Sequence, residues 1–482
     1  MAGIGFALRK LMEPGTYTAY VRAYAYAAIV GTGPWLLSVI CLAVLGAVAV
    51  DPDDFVTRQT FASTVVYIFG GTLVLTGPLQ MVVTRYLADR IYRGEQGQIG
   101  ASYLPVLLCT AVPLLVIGAL FFGGLTTSLF FRLVATGLFV TIGCLWMVMV
   151  FLTTSNEYAA VVRIFALGTA LSIGAGIGGG RHFGLDGYLL GYAVGQFAIF
   201  GLLTRLVLDR FGGPIRWDFG FLGHMRLYPS LAVIGFAYNL AVWADKFAFW
   251  VGVDGDLSGT VAGRLTTTPR YDSSMFMGFL TVVPAMTHFL LVVETELAGA
   301  ISGFYDAIFY KRPLKDIRAA RLRLETMLRR AFVDILRIQA LITVLCIFFG
   351  ADILQLLDLP MSQLGMFRFA CVGSLFVAFT LFCLVVLLYL DRRTDALAVA
   401  LLFLFLNSGL SLASLALGYV FYGAGFAFSG MLALLLAVGL LMHRIQNLEF
   451  LTFSGTPIIG QQAPTAGLRA GPGRGYGREH AL

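Results

Sequence analysis

Asp245 and Lys246 stand side by side inside an otherwise apolar stretch that runs from Pro229 to Trp250. A charge at mid-helix in hydrocarbon costs about 2.5–3.5 kcal/mol on insertion scales, so such residues usually mark the path of a substrate or an ion. Neighbours in sequence point about 100° apart on a helix. The expectation is therefore that Asp245 and Lys246 do not face each other, and that each takes a partner from another helix or from water. Tyr238, Asn239, Trp243, Phe247 and Trp250 share the stretch. Aromatic faces offer flat apolar surface to a sugar ring, and Asp or Asn side chains can bond its hydroxyls. A plainer reading stands beside this one. Asp245 lies about six residues from the end of the stretch, which places both charges in the membrane interface and makes the aromatics an ordinary belt.

Two earlier apolar stretches each carry a Gly-Pro step, Gly33-Pro34 and Gly77-Pro78. Proline removes an N–H and kinks a helix. Such breaks can line a pathway or act as hinges, although Gly and Pro are common in membrane helices generally. Asn156, Glu157, Arg85, Glu294 and Glu296 fall at the ends of apolar stretches. Capping, or pairing with loop arginines, is the expected role there.

Enzymatic motifs are missing from the sequence. It holds no Walker loop, no G-x-S-x-G and no H-E-x-x-H. Its five histidines are scattered, and none of its six cysteines makes a C-x-x-C pair. Neither a metal site nor a cofactor is expected, and the cysteines read as small buried apolar residues. The longest loop, Glu294 to Phe332, spans roughly 39 residues, short of the usual domain minimum of about 50. No catalytic domain is expected.

The elements that must position these residues are membrane helices. The chain is 59% hydrophobic and 12% charged, whereas a soluble domain carries about 25% charged residues. Apolar blocks near the length of a bilayer crossing, about 20 residues, predict twelve helices at 23–50, 60–83, 103–123, 131–152, 161–179, 187–208, 229–251, 275–293, 333–350, 366–390, 396–417 and 420–442. The first block is too long for a signal-peptide core and reads as a retained helix. With the N-terminus on the cytoplasmic side, 26 Lys and Arg fall on that side and six on the other, so both ends are expected inside. The basic balance, net +7, follows the loops and gives no sign of nucleic-acid binding.

Residues 1–22 suit an interfacial helix, with Ile4, Leu8, Leu11 and Met12 opposite Arg9 and Lys10. The stretch after Pro313 carries Arg318, Arg321, Arg323, Arg329 and Arg330. It suits contact with anionic lipid or docking of a cytoplasmic partner. A linker at 209–228 would divide two six-helix lobes, 23–208 and 229–442, as a parallel repeat. The tail, 443–482, is rich in Gly, Pro and Ala and is expected to be largely disordered.

Ordered matches then make the chain recognisable. They are Met1-Ala-Gly-Ile-Gly-Phe6 with Leu8-Arg-Lys-Leu11, Arg22-Ala-Tyr-Ala-Tyr26, Gly33-Pro-Trp35, Thr76-Gly-Pro-Leu-Gln80 with Thr84-Arg-Tyr-Leu-Ala-Asp89, and Tyr238-Asn239 with Trp243, Asp245-Lys246 and Phe249-Trp250. Glu294-Thr295 and Tyr305-Asp-Ala-Ile308 complete the set. Together they resemble the PelG family, the integral membrane component of bacterial Pel exopolysaccharide systems. Ser273–Ser274 and the weakly charged Leu297–Gly303 stretch depart from the family pattern.

The resemblance implies an all-α fold of the MOP flippase superfamily, similar to MATE transporters, with a cavity between two lobes. It also implies translocation of Pel, a polymer rich in partly deacetylated N-acetylgalactosamine, across the inner membrane during biofilm matrix secretion. The implied partners are the cytoplasmic glycosyltransferase PelF and the inner-membrane proteins PelD and PelE. Two alternatives remain. One is an ion-coupled flippase or antiporter for lipid-linked oligosaccharide or small molecules, against which Asp245 counts as essentially the one intramembrane carboxylate. The other is a non-conducting scaffold for the synthase.

Overall fold

The computed structural model describes residues 16–454, except 20, 21, 23, 25, 26, 28–36, 39, 47–54, 154–156, 213–216 and 254–257. The expected Gly33-Pro34 break, Asn156, nearly all of the interfacial segment 1–22 and the tail beyond 454 lie outside the described residues. The first apolar block is described only in part, and is helical at 37–38 and 40–46.

Helices follow in the order α1 (Phe55–Tyr92), α2 (Ile99–Phe122), α3 (Leu129–Leu152), α4 (Tyr158–Phe211), α5 (Gly220–Leu227) and α6 (Pro229–Gly252). A two-stranded hairpin comes next, β1 (Gly259–Val261) against β2 (Leu265–Thr267). Then follow α7 (Pro269–Leu280), α8 (Val283–Val292), α9 (Ala298–Phe309), α10 (Leu314–Phe348), α11 (Gly350–Leu356), α12 (Leu364–Tyr389), α13 (Arg393–Leu417), α14 (Ala424–Gln446) and α15 (Leu448–Ser454). Among the described residues, ten helical stretches are long and apolar enough to cross a membrane.

One of those ten, α4, is two helices. Its chain reverses at Gly184, whose φ of +56° and ψ of −134° leave helical geometry in a region that glycine tolerates far better than other residues. The two arms then lie against each other. Ser172 Oγ donates to the Tyr192 carbonyl at 3.1 Å, and a methyl group on Gly187 would sit 2.0 Å from the Gly179 carbonyl oxygen. The helices expected at 161–179 and 187–208 are therefore two, parted at Gly184, and the first of them contains the glycine run at 174–180. That run is the small-residue face through which two membrane helices approach.

Several boundaries differ from expectation, three of them in ways that change the architecture. The stretch at 294–332 is not a long loop. A π-helical turn at Val293–Leu297 leads into α9, and α10 starts at Leu314. Ile301, Phe304, Ala307, Ile317, Leu324 and Leu328 are buried, so the apolar spacing of three and four carries the helices through the charged region. Pro313 sits where α10 begins. Second, α1 runs well past 60–83. Third, α14 continues to Gln446 and α15 to Ser454, so the chain is still ordered beyond 443.

Buried apolar residues separate into cores that follow the halves of the chain. One is built from residues between Cys41 and Phe221, with Leu265. The other two use residues between Leu231 and Leu448, with Val82 of α1. The halves meet along α1 and α6, which run antiparallel. From one end to the other, Tyr67 stacks on Trp250 with ring centres 4.4 Å apart. Gly70 lies under the Trp243 ring. Asn239 Nδ2 donates to the Leu73 carbonyl at 3.0 Å. Gly77 meets Gly235 backbone to backbone, and the Arg85 guanidinium lies over the Tyr228 ring, 5.4 Å from its centre.

The expected break at Gly77-Pro78 is absent, because α1 is helical straight through Pro78. Membrane helices tolerate an internal proline where neighbouring groups satisfy the freed carbonyl. Gly77 serves close approach instead. At the Tyr67 end the hairpin crosses from one half to the other. Its turn holds Ala262 and Gly263 at positive φ. The Ala262 carbonyl accepts from Thr126 N at 3.0 Å, and Arg264 donates to the carbonyls of Leu120 and Phe121 at 3.2 and 3.1 Å.

A methyl group on Gly235 would lie 2.2 Å from the Gly77 carbonyl oxygen, whereas one on Gly439 meets nothing within 4 Å. Gly235→Leu is expected to destabilise the detergent-solubilised protein by about 1–3 kcal/mol, the usual cost of overpacking. Gly439→Leu is expected to change little. Thermal unfolding of the two variants side by side checks this.

Candidate functional site

A cavity of about 580 Å³ opens against the seam. Val66 and Leu73 of α1 form one wall, and α6, α7, α8 and α12 supply the rest. Its surface is mostly apolar, with Tyr238, Asn239, Lys246, Asp272, Ser273 and Ser374 as the polar groups. A mainly apolar hollow with a few convergent polar groups is the usual form of a binding site.

Lys246 and Asp245 do face each other, contrary to expectation. The lysine chain is long enough to curl back, and Nζ lies 3.1 Å from both Asp245 carboxylate oxygens. The same ammonium donates to the Val242 carbonyl at 3.3 Å. It also lies 5.1, 5.6 and 5.8 Å from the ring centres of Phe279, Phe426 and Trp243, within the range of cation–π attraction.

Asp245 also has partners on other helices, as expected. Tyr271 Oη of α7 donates to it at 2.9 Å and Asn407 Nδ2 of α13 at 3.5 Å. Asn407 in turn donates to the Ala241 carbonyl at 2.8 Å, and accepts from Ser411 and Ser429 at 3.2 and 3.3 Å. Asp245 is 0% exposed. A buried charge is tolerable only when paired and hydrogen-bonded, and this network meets both conditions.

The expected pathway residues thus divide. Tyr238, Asn239, Trp243 and Lys246 reach the cavity wall. Asp245 sits behind Lys246, turned into the protein. Trp250 is buried on Tyr67, and its indole N–H donates to Asp272 at 3.0–3.1 Å. Phe247 packs on Trp243 and Trp250, with ring centres 6.2 and 5.4 Å away.

Asp272 falls outside the helix expected at 275–293, because the helix begins at Pro269. The residue lies in the first turn of α7, where Thr268 N donates to it at 3.1 Å, a favourable place for an anion. It lines the same cavity as Lys246, so Asp245 is not the only carboxylate at this site. Asn407 is not among the expected site residues either. Its signal was present in the sequence: an Asn inside an apolar stretch, with Ser411 one helical turn on.

The five arginines of the basic stretch all lie on α10. Arg321 forms an ion pair with Glu449 at 3.2 Å and donates to the Gln446 carbonyl at 2.9 Å. Arg318 lies 3.7 Å from Glu449, and Arg330 3.8 Å from Asp334. Arg323 and Arg329 are exposed. At the same end of the seam, Arg85 pairs with Asp89 at 3.2 Å and reaches Asp391 at 3.9 Å. Among the described residues no cluster of three or more His, Cys, Asp and Glu side chains could hold a metal ion. All six cysteines are free thiols.

This arrangement of helices is a fold also seen in solved transporters of the MOP superfamily. It resembles an outward-facing multidrug resistance MATE family transporter of that superfamily (TM-score 0.61, 12% identity, covering 89% of this chain and 96% of that one). It also resembles the inward-facing conformation of such a transporter (0.56, 14%, 88% and 99%). A third likeness is to a MOP superfamily transporter from Pyrococcus furiosus, described as having a binding pocket of reverse polarity (0.64, 12%, 88% and 96%). At these identities the likeness establishes the fold.

No functionally curated protein matches the sequence. Residues 1–453 match the family described as "PelG: Putative exopolysaccharide Exporter (EPS-E)". The chain belongs to the PelG family and is a multi-pass membrane protein.

Asp245→Asn removes the countercharge of Lys246 and is expected to cost about 3–5 kcal/mol, the usual result of breaking a buried ion pair. Tyr271→Phe deletes one hydrogen bond to a charged group and is expected to cost about 1.5–3 kcal/mol. Denaturant unfolding of both variants tests the ranking, and equal costs would contradict the pairing described above.

Proposed function

We propose that this chain carries Pel exopolysaccharide, a polymer rich in N-acetylgalactosamine, across the bacterial inner membrane, and that it is a transporter without catalytic activity. The observation that supports this best is the cavity at the lobe seam in a member of an exopolysaccharide exporter family. Trp243 offers a stacking face there, and Asn239, Ser273 and Tyr238 offer groups that bond hydroxyls. Twelve crossings with both ends cytoplasmic would put the basic first half of α10 on the side where the polymer is made.

Blocking the cavity tests the reading. Ala378 lines it and is almost fully buried. Ala378→Trp is expected to lower secreted Pel by about tenfold or more, equivalent to ~1.4 kcal/mol, at an unchanged level of protein in the membrane. Normal secretion with the indole in place would rule the cavity out as the route.

The basic face of α10 suits docking of a glycosyltransferase such as PelF, with PelD and PelE beside it, and contact with anionic lipids. Arg323 and Arg329 are the residues to reverse, because Arg321 already holds Glu449. Arg323→Glu with Arg329→Glu is expected to release the glycosyltransferase from membranes while the transporter stays folded. Retention at the wild-type level would count against docking. The alternative of an ion-coupled flippase gains one specific support, the second carboxylate Asp272. Transport into proteoliposomes with and without an imposed ion gradient separates the two.

A further inference from the structure

The surroundings of the Lys246 ammonium are those of a bound monovalent cation. Three oxygens face it: both oxygens of Asp245 at 3.1 Å and the Val242 carbonyl at 3.3 Å. The rings of Phe279, Phe426 and Trp243 complete the shell. The carboxylate is held from behind by Tyr271 of α7 and Asn407 of α13, and is itself 0% exposed. Oxygen ligands, a full negative charge and aromatic faces in a dry setting would also suit a free alkali cation. Here the cation is covalently attached, because it belongs to the next residue of the same helix.

We propose that Lys246 is a tethered cation that occupies a monovalent-cation site at Asp245. In the wild-type chain the site is thereby closed to Na⁺ and K⁺, and no cation gradient can act through it. Removing the ammonium opens the site. The space left by the lysine side chain adjoins the cavity, since Lys246 forms part of its wall, so an ion has a way in. The buried carboxylate of Asp245 would then carry an uncompensated charge, which a free cation or a proton must satisfy. The other groups around it are Tyr271 and Asp272 from α7, Asn407 from α13 and Ser429 from α14. Asp272 is the only other carboxylate among these, and its oxygens are engaged by the Trp250 indole N–H and Thr268 N.

The test uses the purified full-length chain in nanodiscs at neutral pH. It measures binding of radioactive sodium, and thermal unfolding in NaCl, KCl or N-methylglucamine chloride at equal ionic strength. Wild type is expected to show no saturable sodium binding and the same unfolding midpoint in all three salts. Lys246→Met is expected to bind sodium saturably, with a midpoint that rises with Na⁺ or K⁺ but not with N-methylglucamine, as linkage between binding and folding requires. The double variant Asp245→Asn with Lys246→Met carries neither charge. It is expected to fold and to ignore the salt.

Saturable sodium binding by wild type overturns the proposal, and that measurement does not depend on any variant folding. A Lys246→Met protein indifferent to all three salts overturns it as well. So does one that fails to fold in sodium while the double variant folds, because an entering cation would have replaced the missing charge. None of these measurements reads export, so the result stands apart from the fate of the proposed function.

Discussion

A full charge in a low-dielectric interior has to be neutralised where it stands, and the second half of this chain is assembled around that requirement. Asp245 and Lys246 neutralise each other, but a pair left with open hydrogen-bonding positions would still be costly. Tyr271, Asn407 and the Val242 carbonyl fill those positions. Because these groups come from α6, α7 and α13, and the aromatic cage adds α14, the pair fixes four helices relative to one another. Ser411 and Ser429 extend the same network by anchoring Asn407.

The seam between the halves follows a different rule. Apolar side chains gain little by leaving lipid for another helix, so close van der Waals contact and interhelical hydrogen bonds must hold membrane helices together. Along α1 and α6 that contact comes from Gly70, Gly77 and Gly235. The hydrogen bond comes from Asn239 to the Leu73 carbonyl. Trp250 is committed to the same seam through Tyr67 and Asp272. Packing thus takes some of the aromatic and polar residues of α6 and leaves others to the cavity. Trp243 and Asn239 serve both, since each touches α1 and each lines the hollow.

Family and fold rest on separate observations. Membership of the PelG family rests on sequence over residues 1–453. The MOP transporter fold rests on helix arrangement, shared with proteins only 12–14% identical to this one. Their cavities need share no chemistry with this one.

The sequence by itself determined that the chain is a bundle of membrane helices. Apolar blocks of spanning length are a local property, legible without knowing what packs on what. It also singled out α6, because a charge in such a block is conspicuous wherever it ends up. What it left undecided depends on distance in space. Spacing along α6 implied that Asp245 and Lys246 diverge, but a flexible lysine side chain overrides the direction of its Cα–Cβ bond. Asp272 and Asn407 carry little signal of their own, and gain meaning only when α7 and α13 bring them to α6. The glycines at 174–180 gain a role only because α4 turns back at Gly184 and makes them a contact face. Side-chain reach and helix–helix contact are tertiary quantities, and in this protein they decide which of the residues marked by the sequence face the cavity and which hold the two halves together.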